Sequence, residues 1–121
     1  MVDVSGSVDR TVMQRFSNEI DRILKTLRTQ VFLIVGDDCV RFECQLKPGV
    51  QALRDIQFDG GGGTNFEPMI SAADKHKPDI GVYLTDLDGP VGAAPQWPIL
   101  WAVPIDNGTI PPPFGERVLL D

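Results

Sequence analysis

Five oxygen-bearing side chains of this 121-residue chain have the types and positions expected of a metal site. Asp3, Ser5 and Ser7 stand near the start, Thr64 follows four consecutive glycines, and Asp86 ends an apolar run that begins at residue 81. Each lies where a buried strand would end and a loop begin. Because ligands of an open α/β sheet bind at the carboxyl ends of its strands, we expect these side chains to meet. Hydroxyl and carboxylate oxygens together suit a hard divalent cation such as Mg²⁺.

Length and charge limit the classes of function. A chain of 121 residues has room for a single domain with one core. The net charge of −6 argues against binding to nucleic acid or to anionic membranes, because both require clustered Lys and Arg. No apolar run approaches the roughly 20 residues of a membrane helix. Cys39 and Cys44, the only cysteines, are predicted to remain unpaired, which fits a cytoplasmic protein.

The apolar patterns predict alternating strands and helices around a mostly parallel sheet. Residues at helical spacing indicate an amphipathic helix over 9–28, whereas the near-continuous apolar run 30–35 is typical of a central strand covered on both faces. Alternation over 39–46 after a tight turn predicts an antiparallel edge hairpin. The fold class is therefore α/β, a three-layer doubly wound sheet. The further predicted elements are strands 1–4, 79–85, 98–104 and 116–120 and helices 50–56 and 65–76.

The pattern Asp3-x-Ser5-x-Ser7, then a distant Thr64 and a distant Asp86, resembles the metal-ion-dependent adhesion site of the von Willebrand factor A domain. The order of predicted elements matches that domain over most of the chain. In its C-terminal part, Trp97-Pro98-Ile99-Leu100-Trp101 and Pro111-Pro112-Pro113-Phe114-Gly115 look like a bacterial and archaeal von Willebrand A-like family. In that family the domain follows a putative metallopeptidase-like region.

The resemblance also implies a shortened first strand. Only Met1 and Val2 precede Asp3, where the family usually carries about five apolar residues. We therefore expect residues 1–121 to be one von Willebrand A-like domain, the C-terminal fragment of a longer protein, with a truncated first strand.

The resemblance implies a non-enzymatic protein-interaction domain that depends on Mg²⁺ or Mn²⁺. Ser5, Ser7 and Thr64 would supply direct or near-direct oxygens, and Asp3 and Asp86 would contribute carboxylates, partly through water. An acidic side chain of a protein partner would complete the coordination. A MoxR-type AAA ATPase, or the missing N-terminal region, is the partner that the resemblance implies.

Two alternatives remain open from the sequence. The segment from Tyr83 to Gly89 resembles the first motif of haloacid-dehalogenase-type phosphatases, in which Asp86 would be the nucleophile and Asp88 the general acid/base. Pro90 and the short remainder of the chain argue against this activity. The other alternative is a degenerate domain that serves as a scaffold without metal. Taken singly, each motif could also be no more than a helix cap, a flexible loop or a turn.

Overall fold

The computed structural model describes residues 1–27, 30–46, 61–87, 89, 91–105 and 111–120. These residues form two helices and one sheet of six strands. In chain order the elements are β1 (Val2–Asp3), α1 (Arg10–Leu27), β2 (Val31–Gly36), β3 (Val40–Leu46), α2 (Phe66–Asp74), β4 (Gly81–Leu84), β5 (Ile99–Pro104) and β6 (Glu116–Leu120).

The strand order is β3-β2-β1-β4-β5-β6, and every neighbouring pair is parallel except β2 with β3. The predicted α/β class, the parallel sheet and the antiparallel edge hairpin are therefore confirmed. The predicted helix over 50–56 lies outside the described residues. The strand predicted over 79–85 is shorter than expected, because pairing with β5 begins at Gly81.

Helices cover both faces of the sheet, which confirms the three-layer arrangement. On one face α1 packs its apolar stripe against the sheet, and on the other α2 packs against a group of aromatic side chains. Successive residues of β2 alternate between the two faces, as a central strand requires. The α1 face contains Phe16, Ile20, Leu24, Leu33 and Val35, and the α2 face contains Phe66, Met69, Ile34, Tyr83 and Trp101.

Side-chain caps fix where both helices begin. Asp9 Oδ1 accepts a hydrogen bond from the backbone N–H of Val12 at 2.8 Å, so Asp9 caps α1. Asn65 has extended backbone angles, and its Oδ1 accepts a hydrogen bond from the N–H of Glu67 at 3.1 Å. Asn65 therefore caps α2.

The first strand is short but fully paired. Val2 lies opposite Val35 on one side and Leu84 on the other, and Asp3 lies opposite Gly36. The amino group of Met1 donates to the carbonyl of Val82 at 2.7 Å. The first strand is thus a two-residue strand at the centre of the sheet.

Two further predictions concerned the cysteines and membrane-spanning helices. Cys39 and Cys44 are both free thiols, as predicted. Within the described ranges, neither helix is long and apolar enough to cross a membrane.

Candidate metal-binding site

The predicted site lies at the point where the strand order reverses. From β1 the chain passes to β2 on one side, and it later returns to form β4 on the other side of β1. Asp3 is the last residue of β1, and Asp86 follows the last residue of β4 by two positions. Crevices at such a switch point, outside the carboxyl ends of the strands, are where open α/β sheets bind their ligands.

Asp3 joins the loops that follow β1 and β4. The residue is 1% exposed, and its Oδ1 accepts a hydrogen bond from the N–H of Ser5 at 2.8 Å. Its Oδ2 accepts a hydrogen bond from the hydroxyl of Thr85 at 2.6 Å. Thr85 Oγ1 in turn accepts the N–H of Leu87 at 3.1 Å. Because both oxygens of Asp3 already have protein donors, this carboxylate fits a role that reaches a cation partly through water.

Two carboxylates are buried beside each other at this edge. Asp86 is 6% exposed. Burial raises the pKa of Asp3, hydrogen bonds from Ser5 and Thr85 offset part of that rise, and the negative charge of Asp86 adds to it. Burial therefore disfavours the charged form of Asp3.

The two serines place their hydroxyls together in the loop after β1. Ser5 is buried and Ser7 is exposed, and their Oγ atoms are 3.2 Å apart. Two backbone hydrogen bonds join this loop to the glycine segment, residues 61–63. Gly6 N donates to Gly62 O at 3.0 Å, and Gly61 N donates to Val4 O at 2.8 Å. The segment that leads to Thr64 is thereby fixed next to the serines.

Thr64 also packs against the loop after β4. A Cβ atom placed on Gly89 would lie 2.5 Å from Thr64 Cγ2, so the glycine permits an approach that no other residue would allow. The loops after β1 and β4 and the segment that leads to Thr64 therefore contact one another. Asp88, the second acid of the phosphatase alternative, lies outside the described residues.

Comparison with known proteins identifies the family of the chain. The model of a family described as "VWA-like domain (DUF2201)" matches residues 1–121. The chain belongs to the VWA-like family. No curated protein and no solved structure matches it. VWA-like domains are generally non-enzymatic interaction modules, and the mostly parallel six-stranded sheet agrees with membership.

An ion pair between Asp37 and Arg41, which the sequence patterns did not predict, supports Gly62 in this VWA-like domain. Asp37 is 1% exposed, and it accepts hydrogen bonds from Arg41 Nε at 2.8 Å and Arg41 Nη2 at 3.2 Å. It also accepts the N–H of Gly62 at 3.1 Å. A Cβ on Gly62 would lie 2.8 Å from Asp37 Oδ2, so a larger residue there would displace the Asp37 carboxylate.

The charge of Asp37 is stabilised by its partners. Burial alone would raise its pKa, but the Arg41 guanidinium and the N–H groups of Cys39 and Gly62 lower it well below its ordinary value. A signal for this residue was present in the sequence, because Asp37 follows the apolar strand β2 just as Asp3 and Asp86 follow theirs. Asp37 is thus a structural support for the segment before Thr64.

Asp37 also belongs to a second acidic group in the VWA-like domain. Ligand atoms of Asp37, Asp38 and Cys39 lie within 4.8 Å of one another. Arg41 contacts both carboxylates, with Nη2 3.7 Å from Asp38 Oδ1. Since the Arg41 guanidinium already pairs with both carboxylates, a cation here would have to compete with it.

An open depression of about 500 Å³ adjoins the serine loop of the VWA-like domain. Ser5, Gly6 and Gly61 line one side, and the first turns of α1, including Arg10 and Gln14, line the other.

Proposed function

We propose that this VWA-like domain binds a divalent cation, Mg²⁺ or Mn²⁺, and through it an acidic side chain of a protein partner. The observation that carries the proposal is the position of two buried carboxylates, Asp3 and Asp86, and of the hydroxyl pair Ser5 and Ser7 at the strand ends that flank the switch point of the sheet. All of these donors are oxygen atoms, which hard cations prefer.

Some residues of the site would bind the cation, and others keep those residues in position. The hydroxyls of Ser5, Ser7 and Thr64 would bind the cation, and Asp3 and Asp86 would act partly through water. Asp37 keeps the glycine segment in place, and Thr85 fixes the orientation of the Asp3 carboxylate. When bound with so few negative ligands, the cation supplies an electrophilic position that a partner's carboxylate can occupy. We propose a MoxR-type ATPase, or a region N-terminal to the domain in a longer protein, as the source of that carboxylate.

Calorimetric titration with Mg²⁺ and Mn²⁺ tests the proposal. We expect saturable binding by the parent chain and a loss of affinity of about tenfold or more in Ser5→Ala and in Thr64→Val, because each variant removes one oxygen ligand. Matched controls are Ser71→Ala and Thr11→Val, which alter exposed residues of α2 and α1. Controls with parental affinity would assign the loss to the site.

Two other outcomes of the titration would favour the alternatives to this proposal. Binding that survives Ser5→Ala and Thr64→Val but is lost in the double variant Asp86→Ala/Asp88→Ala would favour the phosphatase alternative. A folded parent chain with no heat of binding for either cation would contradict the proposal and leave a metal-free scaffold.

The contact between Gly89 and Thr64 gives an independent prediction. Gly89→Ala should weaken Mg²⁺ binding about tenfold, because the new methyl group would displace Thr64 from its position. Gly63→Ala is the matched control, since a Cβ at that position has no neighbour within 4 Å. Both variants are measured by titration, with circular dichroism to show that they are folded. Equal affinity in Gly89→Ala and the parent would show that Thr64 does not hold the cation.

A further inference from the structure

The open depression beside the serine loop extends along one face of α1. The residues of α1 that line it recur at the spacing of neighbours on a single helix face, and they are Arg10, Met13, Gln14 and Ser17. From the first to the last of them the helix rises by about 10 Å, which is the length of about three residues of an extended chain. The depression therefore has the size of a site for a short extended segment of another polypeptide.

Arg10 is the positively charged residue of this depression. Its side chain is exposed. Among the described residues, Arg22 pairs with Glu19 and Arg41 pairs with Asp37, whereas the Arg10 guanidinium has no hydrogen-bond or ion-pair partner. The N–H groups of Arg10 are therefore available to a ligand that enters the depression.

Asp9 is the negatively charged residue that lines the same depression. Its Oδ1 accepts the N–H of Val12 at 2.8 Å, so the carboxylate already serves as the cap of α1. Its charge, and the net charge of −6 on the whole chain, oppose the approach of an acidic partner. Arg10 is the group in the depression that offsets this repulsion, because it attracts negative charge directly beside the serine loop.

We propose that Arg10 binds a second carboxylate of the partner segment whose first carboxylate binds the cation. The preferred partner is thus an extended acidic segment with acidic residues at alternate positions, because such side chains lie on one face of the segment about 7 Å apart. A guanidinium binds a carboxylate through paired, charge-assisted hydrogen bonds. This inference rests on the proposed cation site, and within it Arg10 determines specificity without being a ligand of the cation.

Titration of the ¹⁵N-labelled, Mg²⁺-saturated chain with two peptides tests the inference. The first peptide is acetyl-Tyr-Gly-Asp-Ser-Glu-Gly-amide, and the second has Gln in place of Glu and therefore a single carboxylate. We expect the parent chain to bind the first peptide about fivefold more tightly, with a smaller difference at high salt because the contact with Arg10 is exposed. The amide signals that shift should belong to the serine loop and the first turns of α1.

Three variants assign the preference to Arg10. Arg10→Gln should bind both peptides equally, yet calorimetry should show that it retains Mg²⁺ binding. Lys25→Gln removes the same charge from an exposed position in the last turn of α1, and it should keep the fivefold preference. Asp9→Ser retains a capping side chain but removes the repulsion, so it should bind the first peptide about twofold more tightly than the parent chain does.

The outcomes separate this inference from the cation proposal. A parent chain that binds Mg²⁺ but shows no preference between the peptides would overturn the role of Arg10 and leave the cation site in place. A preference that persists in Arg10→Gln would assign the second carboxylate to another residue and would also overturn the inference. Absence of Mg²⁺ binding in calorimetry would contradict the cation proposal, and this inference with it.

Discussion

Asp3→Asn should weaken Mg²⁺ binding by about a hundredfold or more, whereas the metal-free protein should be at least as stable as the parent chain at neutral pH. Asparagine has the shape of the aspartate, so its amide oxygen can accept the Ser5 N–H and its amide nitrogen can donate to Thr85 Oγ1. The substitution removes a buried charge next to Asp86. Folding no longer has to desolvate that charge, but the cation loses one of its two carboxylates.

The stability difference between Asp3→Asn and the parent chain should change with pH in one direction. The pKa of Asp3 in the folded chain is raised above its ordinary value of 3.8, chiefly by burial. A raised carboxyl pKa favours the folded state at low pH, and that contribution is lost as pH rises through the folded pKa. In urea denaturation without metal, Asp3→Asn should therefore gain stability relative to the parent as pH rises above about 4.

The control for this pair of effects is Asp79→Asn, which changes net charge equally at an exposed position. It should alter neither Mg²⁺ affinity nor the pH dependence of stability. A large loss of stability in metal-free Asp3→Asn would show that the carboxylate is a structural anchor. Unchanged Mg²⁺ affinity would remove Asp3 from the proposed site.

Trp101→Ala should lower the free energy of unfolding by about 4 kcal/mol, the largest stability effect that we expect in the described residues. Trp101 has no exposed surface and stacks on Tyr83 with ring centroids 5.2 Å apart. Its edge contacts Phe66 at 5.4 Å and Phe114 at 5.7 Å. Its indole N–H donates to the carbonyl of Phe114 at 2.7 Å, which fastens the segment before β6 to β5.

Equilibrium urea denaturation measures this loss, and Val118→Ala is the control. Val118 lies on the edge strand β6 with 40% of its surface exposed, so its truncation should cost less than about 1 kcal/mol. A small effect of Trp101→Ala would mean that the aromatic group repacks around the cavity. Trp101→Phe should retain most of the stability, since it keeps the ring stacking but loses the hydrogen bond to Phe114.

The fold could be predicted because its strands and helices carry clear patterns. The run over β2 is apolar without interruption, and the alternation in β3 marks an exposed edge. The location of the candidate site followed from the same patterns, since Asp3 and Asp86 each stand at the end of an apolar run. Strand ends are visible in a sequence because the change from apolar to polar residues is abrupt.

The supporting contacts of the site could not be predicted in the same way. An Asp-Asp pair in a hairpin turn is usually exposed, but here Asp37 is buried by Gly62 and neutralised by Arg41, which is four residues away. Adjacent Thr64 and Asn65 could each cap α2, and only the backbone conformation decides between them. These outcomes depend on how separate loops meet, and sequence patterns describe only one segment at a time.

A strand of two residues at the centre of a sheet has a thermodynamic consequence for the whole domain. Its Asp3 carboxylate accepts the Thr85 hydroxyl from the loop after β4, and its backbone pairs with Gly36 of β2. If the proposed cation binds there, it binds the folded chain in preference to the unfolded one. The free energy of unfolding should then rise with the logarithm of the cation concentration once the site is saturated.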